Sequence, residues 1–261
     1  MIDADEPPTW RNLQDRVAAI LREAGVVTAV EKVIPTARGE VSIDVWAHDP
    51  AATPSQTYLV ECKRWRTRVP QAVVHAFRTV VGDSGANWGA IISAAGFQKG
   101  AYRAAEYSNV RLLSWVEFET LFVLRWFSRH FVRKINEITD PLVEYTEPIN
   151  SRIFKKADLL DENRRQEFRR LREVHWALGY LCLMFGVGGS AAMRIVLGEE
   201  AELPIPPLPL RNTLSFSPLP NGMSLPVSIL DATSYRSLLD AITSEAIAAI
   251  SQFDDVFGER A

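Results

Sequence analysis

The chain has 261 residues with 47% hydrophobic and 23% charged side chains, the profile of an ordinary water-soluble globular protein holding one large domain or two modest ones. Its net charge of -3 and pI near 5.9 exclude a globally basic nucleic-acid coat, so any DNA-binding groove has to be local. Two cysteines, Cys62 and Cys182, give neither a disulfide framework nor zinc spacing and point to a reducing cytoplasm, and Met1 to Pro8 lacks an apolar signal core.

Apolar residues Trp10, Leu13, Val17, Ile20, Leu21 and Ala24 recur at helical spacing and Gly25 stops the pattern, which predicts a first helix. Strands are expected at 28–34, 40–47 and 57–63, separated by a turn at Arg38-Gly39 and a loop over Pro50–Pro54. Pro70 opens a helix whose buried stripe is Val73, Val74, Phe77, Val80 and Val81. A short buried strand at 89–93, a helix at 98–107 and a strand at 110–114 complete an α-β-β-β-α-β-α-β order. Late alternation of helices and strands implies parallel crossovers, hence an α/β layered sheet. The Gly82–Asn87 stretch lacks the lysine of a phosphate loop and reads as a turn, with Asn87 capping or lining the sheet edge.

Beyond Val116 the character changes. An aromatic-rich helix carrying Arg125, Arg129, Arg133 and Lys134 is expected over 116–138, ended by Asp140-Pro141. Two helices are expected over 161–197, an irregular proline-rich stretch over 204–226, and an amphipathic helix over 234–253. Residues 174–193 carry no Asp, Glu, Lys or Arg, but His175 and several glycines dilute them, so a buried helix broken near Gly186 is expected rather than a membrane span. The domain boundary falls at 140, leaving a mainly helical accessory region over 141–261.

The chemistry lies on two of the strands. In Val41-Ser42-Ile43-Asp44-Val45-Trp46-Ala47 the residues Val41, Ile43, Val45 and Ala47 are expected on one face and Asp44 on the other. In Tyr58-Leu59-Val60-Glu61-Cys62-Lys63, period two sets Glu61 beside Lys63. If the strands pair, Asp44, Glu61 and Lys63 converge. Two carboxylates with phosphate oxygens suffice for magnesium, and a lysine orients the attacking water or stabilises developing negative charge. Taken alone, the triplet reads as a solvated Glu-Lys pair on a surface strand, since E-x-K is common by chance. Its surroundings favour chemistry: Arg64-Trp65-Arg66-Thr67-Arg68 is basic around an aromatic, as suits a phosphate backbone. Gln71, at the start of the next helix, is in reach of a metal-water shell, whereas His75 reads as part of a solvated stripe with Arg78.

Gly39-Glu40…Asp44, Val60-Glu61-Cys62-Lys63-Arg64-Trp65, Val69-Pro70-Gln71…Phe77 and Ala94-Ala95-Gly96-Phe97-Gln98…Ala101 resemble the Mrr-type restriction endonuclease family of the PD-(D/E)-x-K nuclease superfamily, over residues 10 to 120. The resemblance implies a restriction-endonuclease-like core, a mixed sheet flanked by helices. It also implies cleavage of DNA with magnesium, for which manganese can substitute, in defence against foreign DNA. Asp44 then matches the metal-binding aspartate, Glu61 the second acid, Lys63 the catalytic lysine and Gln71 the helix glutamine. The Cys62 backbone carbonyl matches a further metal ligand, and Arg64, Arg66, Arg68 and Lys99 are the expected phosphate contacts. Two departures stand out: Gln14 where relatives commonly carry a glutamate, which leaves open any ligand from the first helix, and Ile43 in place of proline before Asp44. Double-strand cleavage needs two active sites, which points to a homodimer. The competing readings are a non-catalytic DNA-binding or scaffold protein on the same fold, and a nuclease of RNA or branched DNA.

Overall fold

The computed structural model describes residues 1–147, 150–186, 205–213 and 224–259. They form two compact units, one of Met1 with Asp5–Arg129 and one of Ile2–Ala4 with His130–Ala261.

The first unit runs α1 (Trp10–Glu23), β1 (Val27–Thr36), β2 (Gly39–Asp49), β3 (Gln56–Lys63), α2 (Gln71–Asp83), β4 (Trp88–Ser93), α3 (Lys99–Ala105), β5 (Val110–Leu113) and α4 (Trp115–Trp126). The five strands lie in the order β1-β2-β3-β4-β5. Short loops join β1, β2 and β3 as antiparallel neighbours, while α2 and α3 carry the chain across so that β4 and β5 run parallel to β3. The result is a mixed sheet flanked by helices, a restriction-endonuclease-like core. Val74, Phe77 and Val81 of α2 and Ala101 and Ala104 of α3 pack on Leu59 and Ile91. Close packing is enforced at Gly89, where a Cβ would come within 2.6 Å of Val81 and 2.7 Å of Phe77. Leu59 and its neighbour Val60 are both buried, so β3 is covered on both faces. α1 packs on β1, β2 and β3. Asn87 caps the start of β3, its side chain accepting the Thr57 amide at 2.7 Å, and so lies at the end of the interior strands β3 and β4 rather than at a sheet edge.

One expectation about faces fails. Val45 pairs with Val60, yet Ile43 joins the cluster of Ile34, Leu59, Val69 and Val74, so the run Val41 to Ala47 does not keep a single buried face. The pairing of β2 with β3 stops at Val45–Val60. Across the hairpin, Glu31 stands between two paired residues with φ 49, in the left-handed region. Alternation resets where both irregularities fall.

The helix expected over 116–138 is also different. α4 ends at Trp126, a π-helical turn spans Phe127–Phe131, and α5 (Val132–Thr146) continues straight through Pro141. Proline removes one helical hydrogen bond, but burial of Leu142 and Tyr145 beyond it holds the next turn. The two units divide inside the π turn, between Arg129 and His130, rather than at 140.

In the second unit, α5, α7 (Glu162–Gly186) and the helix Tyr235–Phe257 pack on one another, joined by α6 (Ser151–Asp158) and two short helical turns at Leu210–Thr213 and Val227–Leu230. Where two helices were expected from 161, a single one reaches Gly186, and the stretch from there to Leu197 lies outside the described residues. Gly179 lets α7 approach Thr146 with no room for a Cβ. Tyr145 stacks on Phe253 with ring centroids 4.7 Å apart, and Phe168 meets Phe253 and Phe257 edge-on. Arg172 donates to the carbonyls of Tyr145 and Glu147 at 3.0 Å, supplying donors to the otherwise open C-terminal end of α5. Among the described residues no helix is long and apolar enough to cross a membrane.

Candidate functional site

Where β2 leaves β3, the Asp44 carboxylate takes the place of a ladder carbonyl: its Oδ2 accepts the Cys62 amide at 2.7 Å. Its Oδ1 accepts the Gln14 side-chain amide of α1 at 3.0 Å. Bonds to an ionised acceptor are the stronger kind, and two of them on opposite oxygens fix the carboxylate in one rotamer. Gln14 is 1% exposed. The first helix thus supplies a donor to Asp44.

Glu61 and Lys63 lie side by side as period two requires and form an ion pair, each side chain 17% exposed. Burial pushes the Glu61 carboxyl above its ordinary range; Lys63 opposes the shift and the Asp44 charge adds to it. Asp44 and Glu61 are therefore close enough to repel. Burial first, then both carboxylates, raise the Cys62 thiol well above its usual range, so it stays protonated near neutrality and is no nucleophile. Among the described residues no group of three or more His, Cys, Asp or Glu side chains is set to hold a metal ion. Two mutually repelling carboxylates nevertheless suit a hard divalent cation that keeps most of its waters, and the Cys62 carbonyl belongs to the same stretch of β3.

The neighbouring loops are tied down around this point. Val69 forms a parallel bridge with Phe97; its amide donates to Gly96 and its carbonyl accepts from Gln98, both at 3.0 Å. This joins the end of the basic loop to the turn that opens α3. Gln71 starts α2, with its side chain against Gly100 at the start of α3, where a Cβ would collide with its amide. Lys99 is exposed as the first residue of α3. Arg66 and Arg68 are exposed, while Arg64 donates to the Pro7 carbonyl at 2.9 Å and anchors the loop. His75 is exposed, in keeping with a solvated stripe, but Arg78 donates to the Ala104 carbonyl at 2.6 Å and clasps α2 to α3.

Arg125 of α4 is committed within the fold. It grips the buried Asp49 with both terminal nitrogens and donates through Nε to the Ala24 carbonyl at 2.7 Å. Asp49 also accepts Tyr58 Oη at 3.0 Å, and the Arg125 bonds hold its carboxyl well below the usual range. Burial and the Asp49 charge push the Tyr58 phenol up to about 12. The role of Gln14 had a sequence signal: it is the polar member of the buried stripe Leu13, Gln14, Val17, Ala18 and Leu21.

Residues 8–122 match the Mrr catalytic family model, described as a restriction endonuclease. No curated protein matches the chain. A crystal structure titled as a protein of unknown function, AF1548, covers 97% of this chain and 100% of its own at 16% identity, with a TM-score of 0.37, too low to carry an argument.

Proposed function

We propose that this protein is a magnesium-dependent endonuclease of DNA, with Asp44, Glu61 and Lys63 as its catalytic centre, a reading supported by the match of residues 8–122 to the Mrr restriction endonuclease family model. The observation that carries the reading is the pair of partly buried, mutually repelling carboxylates beside an ammonium group at the point where β2 and β3 part. A divalent ion held there by Asp44, Glu61 and the Cys62 carbonyl supplies charge stabilisation on the phosphate and an acidified water. The protein's own part is positional. Asp44 is held by two amides and needs little reorganisation. Lys63 gives one of its three donors to Glu61 and keeps two for a phosphate oxygen or the attacking water. In this reading the exposed Arg66, Arg68 and Lys99 bind flanking phosphates and Gln71 orients groups of the metal-water shell. Arg64 contributes by fixing the loop.

Defence against foreign DNA, a homodimer with two such sites, and a cytoplasmic setting follow from the family resemblance and from the two free cysteines. The test is cleavage of methylated and unmethylated plasmid with magnesium, manganese or EDTA. Cutting is expected only with metal, lost in Asp44→Ala, Glu61→Ala and Lys63→Ala and reduced less in Gln71→Ala. A folded triad variant that still cuts removes the mechanism.

A further inference from the structure

The segment between Lys63 and Val69 holds an exposed aromatic that the proposed chemistry does not use. Trp65 is 42% exposed, and its ring centroid lies 5.8 Å from Lys63 Nζ, the ammonium that also pairs with Glu61. Its loop is pinned on both sides, by Arg64 to the Pro7 carbonyl and by Val69 to Gly96 and Gln98. An exposed indole on an anchored loop is a rigid, sticky surface whose burial against water is favourable, and charged neighbours at Arg64, Arg66 and Arg68 reserve that surface for an anionic partner.

Geometry limits what the ring can meet. Phosphates repeat every ~3.4 Å of axial rise along a strand, so a ring 5.8 Å from the catalytic ammonium lies within two nucleotides of a phosphate bound at the triad. In an intact duplex the base faces at that point are stacked on one another and offer no free π surface. Resting on the nuclease reading above, we propose that Trp65 is a stacking platform for an unpaired or extruded base beside the scissile phosphate. The site then favours DNA whose bases are locally unstacked, at a flipped, mismatched or single-stranded position, over uninterrupted duplex. Stacking of this kind is indifferent to base identity because every base has a π face.

The experiment uses the full chain in EDTA, with oligonucleotide duplexes carrying 2-aminopurine either fully paired or unpaired in a short bulge. The wild type is expected to bind the bulged duplex more tightly and quench its fluorescence. Trp65→Ala is expected to lose about tenfold in affinity for the bulged duplex, to leave the paired one unchanged, and to abolish the quench, while Trp65→Phe retains most of both. Equal losses on both duplexes, or none on either, overturn the platform. Magnesium-dependent cleavage by the wild type is measured in parallel: cutting with no Trp65 effect refutes the platform alone, and neither binding nor cutting refutes the nuclease reading with it.

Discussion

Gln14→Glu asks whether the first helix holds Asp44 by a neutral donor. The substitution keeps the shape of the side chain and turns a donor into a second carboxylate against Asp44. At the observed 3.0 Å, two full charges in an effective dielectric of about 20 repel by about 5–6 kcal/mol. Holding a glutamate protonated near pH 7 costs only about 3–4 kcal/mol, given a reference pKa of about 4.3. Protonation wins. The new carboxyl stays neutral and donates its proton to Asp44 in place of the amide. Its folded pKa is thereby raised above the unfolded value, so stability is intact below about pH 4 and is lost as the pH rises through the folded pKa. In urea titrations with EDTA, Gln14→Glu is expected to match the wild type near pH 4 and to fall behind by about 1.4 kcal/mol per pH unit, reaching about 3–4 kcal/mol near pH 7. Magnesium or manganese at neutral pH should recover more of that loss than it adds to the wild type, because a cation relieves the same repulsion. Gln14→Ala, which removes the donor and adds no charge, should lose stability without the pH trend. A Gln14→Glu protein as stable as the wild type at pH 7 in EDTA would refute the contact between α1 and Asp44.

Two further outcomes follow from buried charge. Arg125→Met leaves Asp49, 2% exposed, without its cation and should cost about 3–5 kcal/mol of unfolding free energy by urea denaturation. Because the folded Asp49 pKa is depressed, the pair's contribution is full above the ordinary aspartate range of about 3.9 and is lost as the pH falls through the depressed value; Asp49→Asn should remove that share of the acid sensitivity. At the proposed catalytic centre, the raised Glu61 carboxyl would make protons compete with a metal at higher pH than an ordinary glutamate would. Magnesium affinity followed by thermal shift should begin to weaken, as the pH falls, at a higher pH than free glutamate titrates, about 4.3; a profile that stays flat down to that point contradicts the upward shift.

The order of elements was legible because each carries its own punctuation: Gly25 after α1, the Arg38-Gly39 turn, Pro70 before α2. The Glu61–Lys63 pair was legible for the same local reason, since period two sets the two side by side whatever the rest of the chain does. What escaped depended on distant partners. Val41 to Ala47 alternates cleanly in sequence, and nothing local announces that Ile43 turns to the α2 and α3 side. Nothing around Arg125 on its aromatic-rich helix announces its partner Asp49, which lies on β2, 76 positions away in sequence. Asp140-Pro141 read as a stop, and the helix runs on because Leu142 and Tyr145 are buried beyond it. In each case tertiary packing overrode a local signal.

The same break in the sheet explains why the site is where it is. A continuous β2–β3 ladder would commit the Cys62 amide to a backbone carbonyl. By parting after Val45–Val60, β2 gives up ladder bonds and substitutes a charge-assisted one from the Cys62 amide to Asp44. That exchange holds the carboxylate rigidly, next to Glu61 and on strands rather than on a loop, which is the condition for a preorganised site. The cost appears in Glu61, whose carboxyl is harder to ionise for sitting buried beside a fixed anion. On the proposed reading, a cation held beside Asp44 and Glu61 would offset that repulsion and lower the cost of ionising Glu61.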